Sequence, residues 1–96
     1  MPADIVIEKD MAYNRRDLLA GLGRAFGTVP APQGDVVTVA VGDGSLTVEM
    51  GREAERRLGL MRVVHMPVTL TFSGLEKPDA DAALVRFDRA FQRGGG

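Results

Sequence analysis

Cysteine and tryptophan are absent from the 96 residues. Without thiols there is no disulfide, no cysteine nucleophile and no cysteine-ligated metal, a usage that fits a cytoplasmic protein. Histidine occurs once, at His65, so no His pair exists to hold a metal. Rings are scarce too. Tyr13, Phe26, Phe72, Phe87 and Phe91 are the only five, which leaves the core to Val, Leu, Met and Ala. No apolar run approaches the ~18 residues of a membrane span. The opening MPADIVIEKD is acidic around a short apolar run, so no signal peptide is expected. Neither sign of charge dominates: the net charge is −1. That gives no global pull toward nucleic acid or an anionic membrane, and neither is an expected partner.

What is present suits one soluble globular domain. Apolar residues make up 45% and charged residues 26%, too apolar for a disordered chain. The expected domain is 1–93, followed by a flexible glycine tail, 94–96.

The longest apolar stretch, residues 58–72 (LGLMRVVHMPVTLTF), organises the rest. It reads as a strand. Val68, Leu70 and Phe72 alternate with Thr69, Thr71 and Ser73, the period of a half-buried strand. Its first half is apolar on both sides: Leu60, Val64 and Met66 on one, Met61 and Val63 on the other. Pro67 lies between the halves. A central strand cannot spare the missing N–H, so Pro67 marks a bulge, a bend or an edge.

Taken in order, Ile5, Val6 and Ile7 form a first strand. Asn14 is placed to cap a helix over 15–26, with Leu18, Leu19, Leu22, Ala25 and Phe26 on one stripe. Gly21 and Gly23 within it cost about 1 kcal/mol each relative to Ala; they are either tolerated weaknesses or points of close approach. Residues 36–41 read as a central strand and 45–50 as an alternating one. The intervening Gly42-Asp43-Gly44 makes them a hairpin. The charged segment 51–57 (GREAERR) is either a helical turn or two, favoured by the Glu53–Arg57 spacing, or a solvated connection. Pro78 suits the start of a last helix, whose apolar stripe is Ala80, Ala83, Leu84, Phe87 and Phe91.

The order β-α-β-β-β-α predicts an α+β fold: a two-layer α/β sandwich with a mostly antiparallel four-stranded sheet and both helices on one face. The other face must be polar or must meet something.

Chemical signatures are sparse. His65 lacks a nucleophile and acid in a recognisable pattern and reads as a structural or surface histidine. Gly42-Asp43-Gly44 precedes a strand, whereas a phosphate-cradling loop should open a helix. Arg86, Arg89 and Arg93 form a basic stripe balanced by Asp79, Asp81 and Asp88, with no exposed rings for base stacking. The terminal Arg93-Gly94-Gly95-Gly96 resembles the tails of ubiquitin-like modifiers and sulfur carriers. Those folds open with a hairpin and reach the tail from a strand. Here a helix leads straight into the glycines, and a helix cap with a frayed end is the simpler account.

The preferred expectation is a non-catalytic protein acting by association, most simply as a homodimer, with another protein partner as the variant of that idea. The expected interface is Met61, Val63, His65 and Pro67. An alternative is a ligand-binding module or small enzyme with a sheet–helix pocket at Arg62 and His65. A third is weak nucleic-acid binding through the helix arginines. No cofactor, metal or catalytic residue is expected.

Overall fold

The computed structural model describes residues 4–27 and 29–91. The predicted glycine tail and Arg93 lie outside them. The elements are β1 (Ile5–Met11), α1 (Arg15–Phe26), β2 (Val36–Val41), β3 (Gly44–Met50), β4 (Ala54–Leu58), β5 (Met61–Ser73) and α2 (Lys77–Ala90). The predicted α+β arrangement holds, with five strands in place of four.

The local signals act as expected at α1. The Asn14 side chain accepts from the Asp17 N–H at 2.8 Å, and the helix stops at Gly27, whose φ of 87° favours glycine. α2 begins beside Pro78 with Asp79 in its first turn. The two glycines of α1 prove different. A Cβ on Gly21 would lie 2.3 Å from the Phe91 ring, so Gly21 permits a close approach. That ring is gripped by Phe87 (centroids 4.7 Å apart) and Tyr13 (5.0 Å), and the Tyr13 hydroxyl donates to the Phe91 carbonyl. A Cβ on Gly23 would meet nothing nearer than Val29 at 4.0 Å.

The main sheet runs β1-β5-β3-β2, antiparallel throughout. One face is the core. Val37, Val39, Leu46, Val48, Met66, Val68, Leu70 and Phe72 are buried there beneath Leu18 and Leu22 of α1 and Ala80, Ala83 and Phe87 of α2. Each large side chain so enclosed contributes on the order of 2 kcal/mol through burial. The opposite face carries no helix. Its rows read Thr38–Thr47–Thr71–Val6 and Val36–Glu49–Thr69–Glu8. This open face is largely the polar one the alternation predicts.

The segment 58–72 is not one strand. Leu58 pairs with Met61 across a two-residue turn, Gly59-Leu60, and Gly59 takes φ 62°. Glycine with positive φ at the first turn position is the type II′ pattern, shared by Gly42-Asp43 in the β2–β3 hairpin. Residues 54–58 are therefore strand β4, neither helical turn nor solvated connection. The reason is pairing. One helical turn bears the full cost of nucleation for few hydrogen bonds, whereas here the β4 backbone satisfies the exposed polar groups of Met61–His65.

Pro67 sits opposite a bulge. Met50 pairs with Val68 and Ala54 with His65, so three residues, 51–53, face only two, Met66 and Pro67. The Gly51 N–H donates to the Pro67 carbonyl at 2.7 Å, but Pro67 has no N–H to return. The extra residue reverses the alternation. In β3 the even-numbered Leu46, Val48 and Met50 face the core. In β4 the even-numbered Ala54, Arg56 and Leu58 face the open side, in register with His65, Val63 and Met61.

Candidate functional site

The features that set this chain apart converge on the hairpin arm made by β4 and the first five residues of β5. Five paired rows join its strands, and β4 pairs with β5 alone. Every residue of β4 is exposed. The arm extends the sheet beyond the cover of the helices. The radius of gyration is accordingly 13.9 Å, against about 12.5 Å for a compact domain of this length.

Strand alternation sorts the predicted site residues. Met61, Val63, His65 and Pro67 share the open face of β5. Met61 is 66% exposed, and Val63 and His65 are half-buried. Leu58, opposite Met61, is 56% exposed, and Leu60 at the tip is fully exposed. One isolated chain thus leaves an apolar strip uncovered. Single exposed apolar residues are ordinary; here three, Leu58, Leu60 and Met61, cluster around one turn.

Arg62 and His65 are not brought together. Arg62 lies on the reverse face, directly opposite Arg57, with Glu55 and Val64. His65 Nδ1 is 3.2 Å from Asp10 Oδ1. It borders a shallow depression of about 180 Å³ lined by Asp10, Ala12, Arg56, Leu58, Val63 and His65. Arg62 does not line this depression, which sits on the open face, away from the layer between sheet and helices.

Charge on the arm is unbalanced locally. Among the described residues, Arg52, Arg56, Arg57 and Arg62 have neither a carboxylate within ion-pair distance nor a hydrogen-bond acceptor. Two of the helix arginines are differently employed. Arg86 donates to the Ala25 carbonyl at 2.7 Å and stacks over Phe26, 5.0 Å from the ring centre. Arg24 donates to the Ala90 carbonyl at 3.1 Å. Both tie α1 to α2. The opposite end of the molecule holds a cleft of about 560 Å³ whose polar lining includes Asp43, Glu76, Asp79 and Arg86. No trio of His, Asp or Glu capable of holding a metal occurs among the described residues. No described helix is long and apolar enough to cross a membrane.

Sequence reasoning missed Arg56 and Leu58 as members of this face. Two signals could have found them. Gly59 follows a charged segment and precedes an apolar one, which suits a hairpin turn. Pro67 requires an irregularity in whichever strand lies beside it. No protein-family model, curated protein or solved structure matches the chain.

Proposed function

We propose that this protein works by association, most simply as a cytoplasmic homodimer, and that the β4–β5 arm is its contact surface. The observation that supports this reading is the uncovered apolar patch of Leu58, Leu60 and Met61 on a two-stranded ribbon. A ribbon of two strands is marginal in water unless something packs on it. A partner would supply that packing and remove the patch from solvent.

The test is the mass in solution. Light scattering at high micromolar concentration is expected to give twice the 10.3 kDa chain mass. Met61→Glu, at an exposed position, is expected to give the single-chain mass with an unchanged circular dichroism spectrum. A wild-type protein of single-chain mass at that concentration would sink the homodimer.

A further inference from the structure

The open face of the main sheet differs from the arm in a complementary way. The arm presents Arg56 among apolar groups, Leu58, Met61 and Val63. The sheet presents Glu8 and Glu49 on either side of Thr69, and the exposed Val6 beside Thr71. Among the described residues neither Glu8, Glu49 nor Arg56 has an ion-pair or hydrogen-bond partner. Both surfaces lie on the same side of the sheet, yet within one chain they cannot meet. The arm continues the sheet outward through β5, a single unbroken strand from Met61 to Ser73, and does not fold back over it.

Resting on the association proposed above, we infer that the arm of each copy seats on the open sheet face of the other in a twofold-symmetric pair. Met61 and Val63 pack on Val6 and the threonine methyl groups. Arg56 reaches between Glu8 and Glu49 of the second copy. Symmetry makes the contact reciprocal, so each chain gives one arm and receives one. Size argues for two contacts. At about 3.3 Å per residue and 4.8 Å between strands, one arm face is roughly 16 Å long and two strands wide, well short of the ~800 Å² per partner of a standard interface. Two reciprocal contacts double the area to roughly 300 Å² per partner, the size of a weak association between copies. The pairing of opposite charge also selects this face over a random apolar contact, because a like-charged juxtaposition would be repulsive.

Charge reversal tests the pairing. Two variants are made at exposed positions, Arg56→Glu and the double variant Glu8→Lys, Glu49→Lys. Each alone meets like charge at both contacts and is expected to give the single-chain mass by light scattering. Mixed in equal amounts, the two restore opposite charge at both contacts, and the mass is expected to return to that of two chains. Suppose the wild type is dimeric but the variants stay dimeric, or their mixture stays single-chain. The arm-on-sheet contact is then overturned while association stands. If the wild type is itself a single chain, both readings fail. Co-sedimentation of that single chain with phosphatidylglycerol vesicles, lost in Met61→Glu, would then assign the arm to an anionic membrane surface instead.

Discussion

The two halves of β5 are one continuous strand with opposite circumstances. Residues 66–73 lie between β1 and β3 and under two helices; Met66, Val68, Leu70 and Phe72 are all but inaccessible. Residues 61–65 have β4 alone beside them and no helix above, and Met61 and Arg62 are exposed. Both halves carry apolar side chains at half or more of their positions: Met61, Val63 and Val64 in the first, Met66, Val68, Leu70 and Phe72 in the second. What differs is the supply of covering surface. α1 and α2 each present one apolar stripe, and those stripes are spent on the main sheet. Hydrophobicity in a strand therefore reports a need for cover, and only the number and length of the helices say whether the same chain meets it.

The largest consequence is in stability. Phe72→Ala removes a ring that is 1% exposed and is expected to cost about 3–5 kcal/mol through lost transfer energy and a residual cavity. Val63→Ala, on the arm, is expected to stay within about 0.5 kcal/mol when measured by urea unfolding at concentrations too dilute for association. Equal losses at the two sites would break the comparison, since they would mean that the arm is packed as tightly as the body.

An intermediate effect is expected at the joint between the halves. A Cβ on Gly51 would fall 2.5 Å from the Pro67 ring and 3.0 Å from its carbonyl oxygen. Neither can step aside easily, because the ring is rigid and the carbonyl accepts the Gly51 N–H. Gly51→Ala is expected to cost about 1–3 kcal/mol by forcing the backbone apart. The loss should appear in urea unfolding together with faster amide exchange across β4. Normal exchange in β4 would show that the bulge does not depend on this close approach.

The sequence carried most of the body and half of the arm. The Asn14 cap, the apolar stripes of both helices and the Gly42-Asp43 turn each rest on a local rule, so their residues announce them. The open-face placement of Met61, Val63, His65 and Pro67 followed from alternation alone. β4 was hidden because its residues, Ala-Glu-Arg-Arg-Leu, carry helical propensity and charge; its strand state comes from pairing with residues beyond the turn. The separation of Arg62 from His65 was implicit in their spacing of three, which places strand residues on opposite faces but helix residues on the same one. One contact of the helix arginines could not be read from periodicity. Arg86, on the predicted basic stripe and exposed as its position implies, also donates to a carbonyl of α1, a contact set by how the helices pack.

The smallest expected effect concerns the reverse face of the arm, where Arg57 and Arg62 are directly opposed. Like charges facing each other across strands are unfavourable, while an opposite-charge pair contributes about 0.2–1 kcal/mol. Both guanidinium groups are exposed, so solvent and salt weaken the repulsion. Arg57→Glu converts the pair and is expected to stabilise the arm by a few tenths of a kcal/mol on that scale. The measurement is amide exchange at low ionic strength. Protection should rise for β4 and for Met61–His65, stay unchanged in β1 and β3, and the difference should shrink in high salt. Residues 66–73 serve as the internal control, because the global stability governs their exchange and the arm's does not. An arm equally protected in both variants would mean that its strands are held by something other than their mutual pairing, and the contrast between the two halves of β5 would lose its footing.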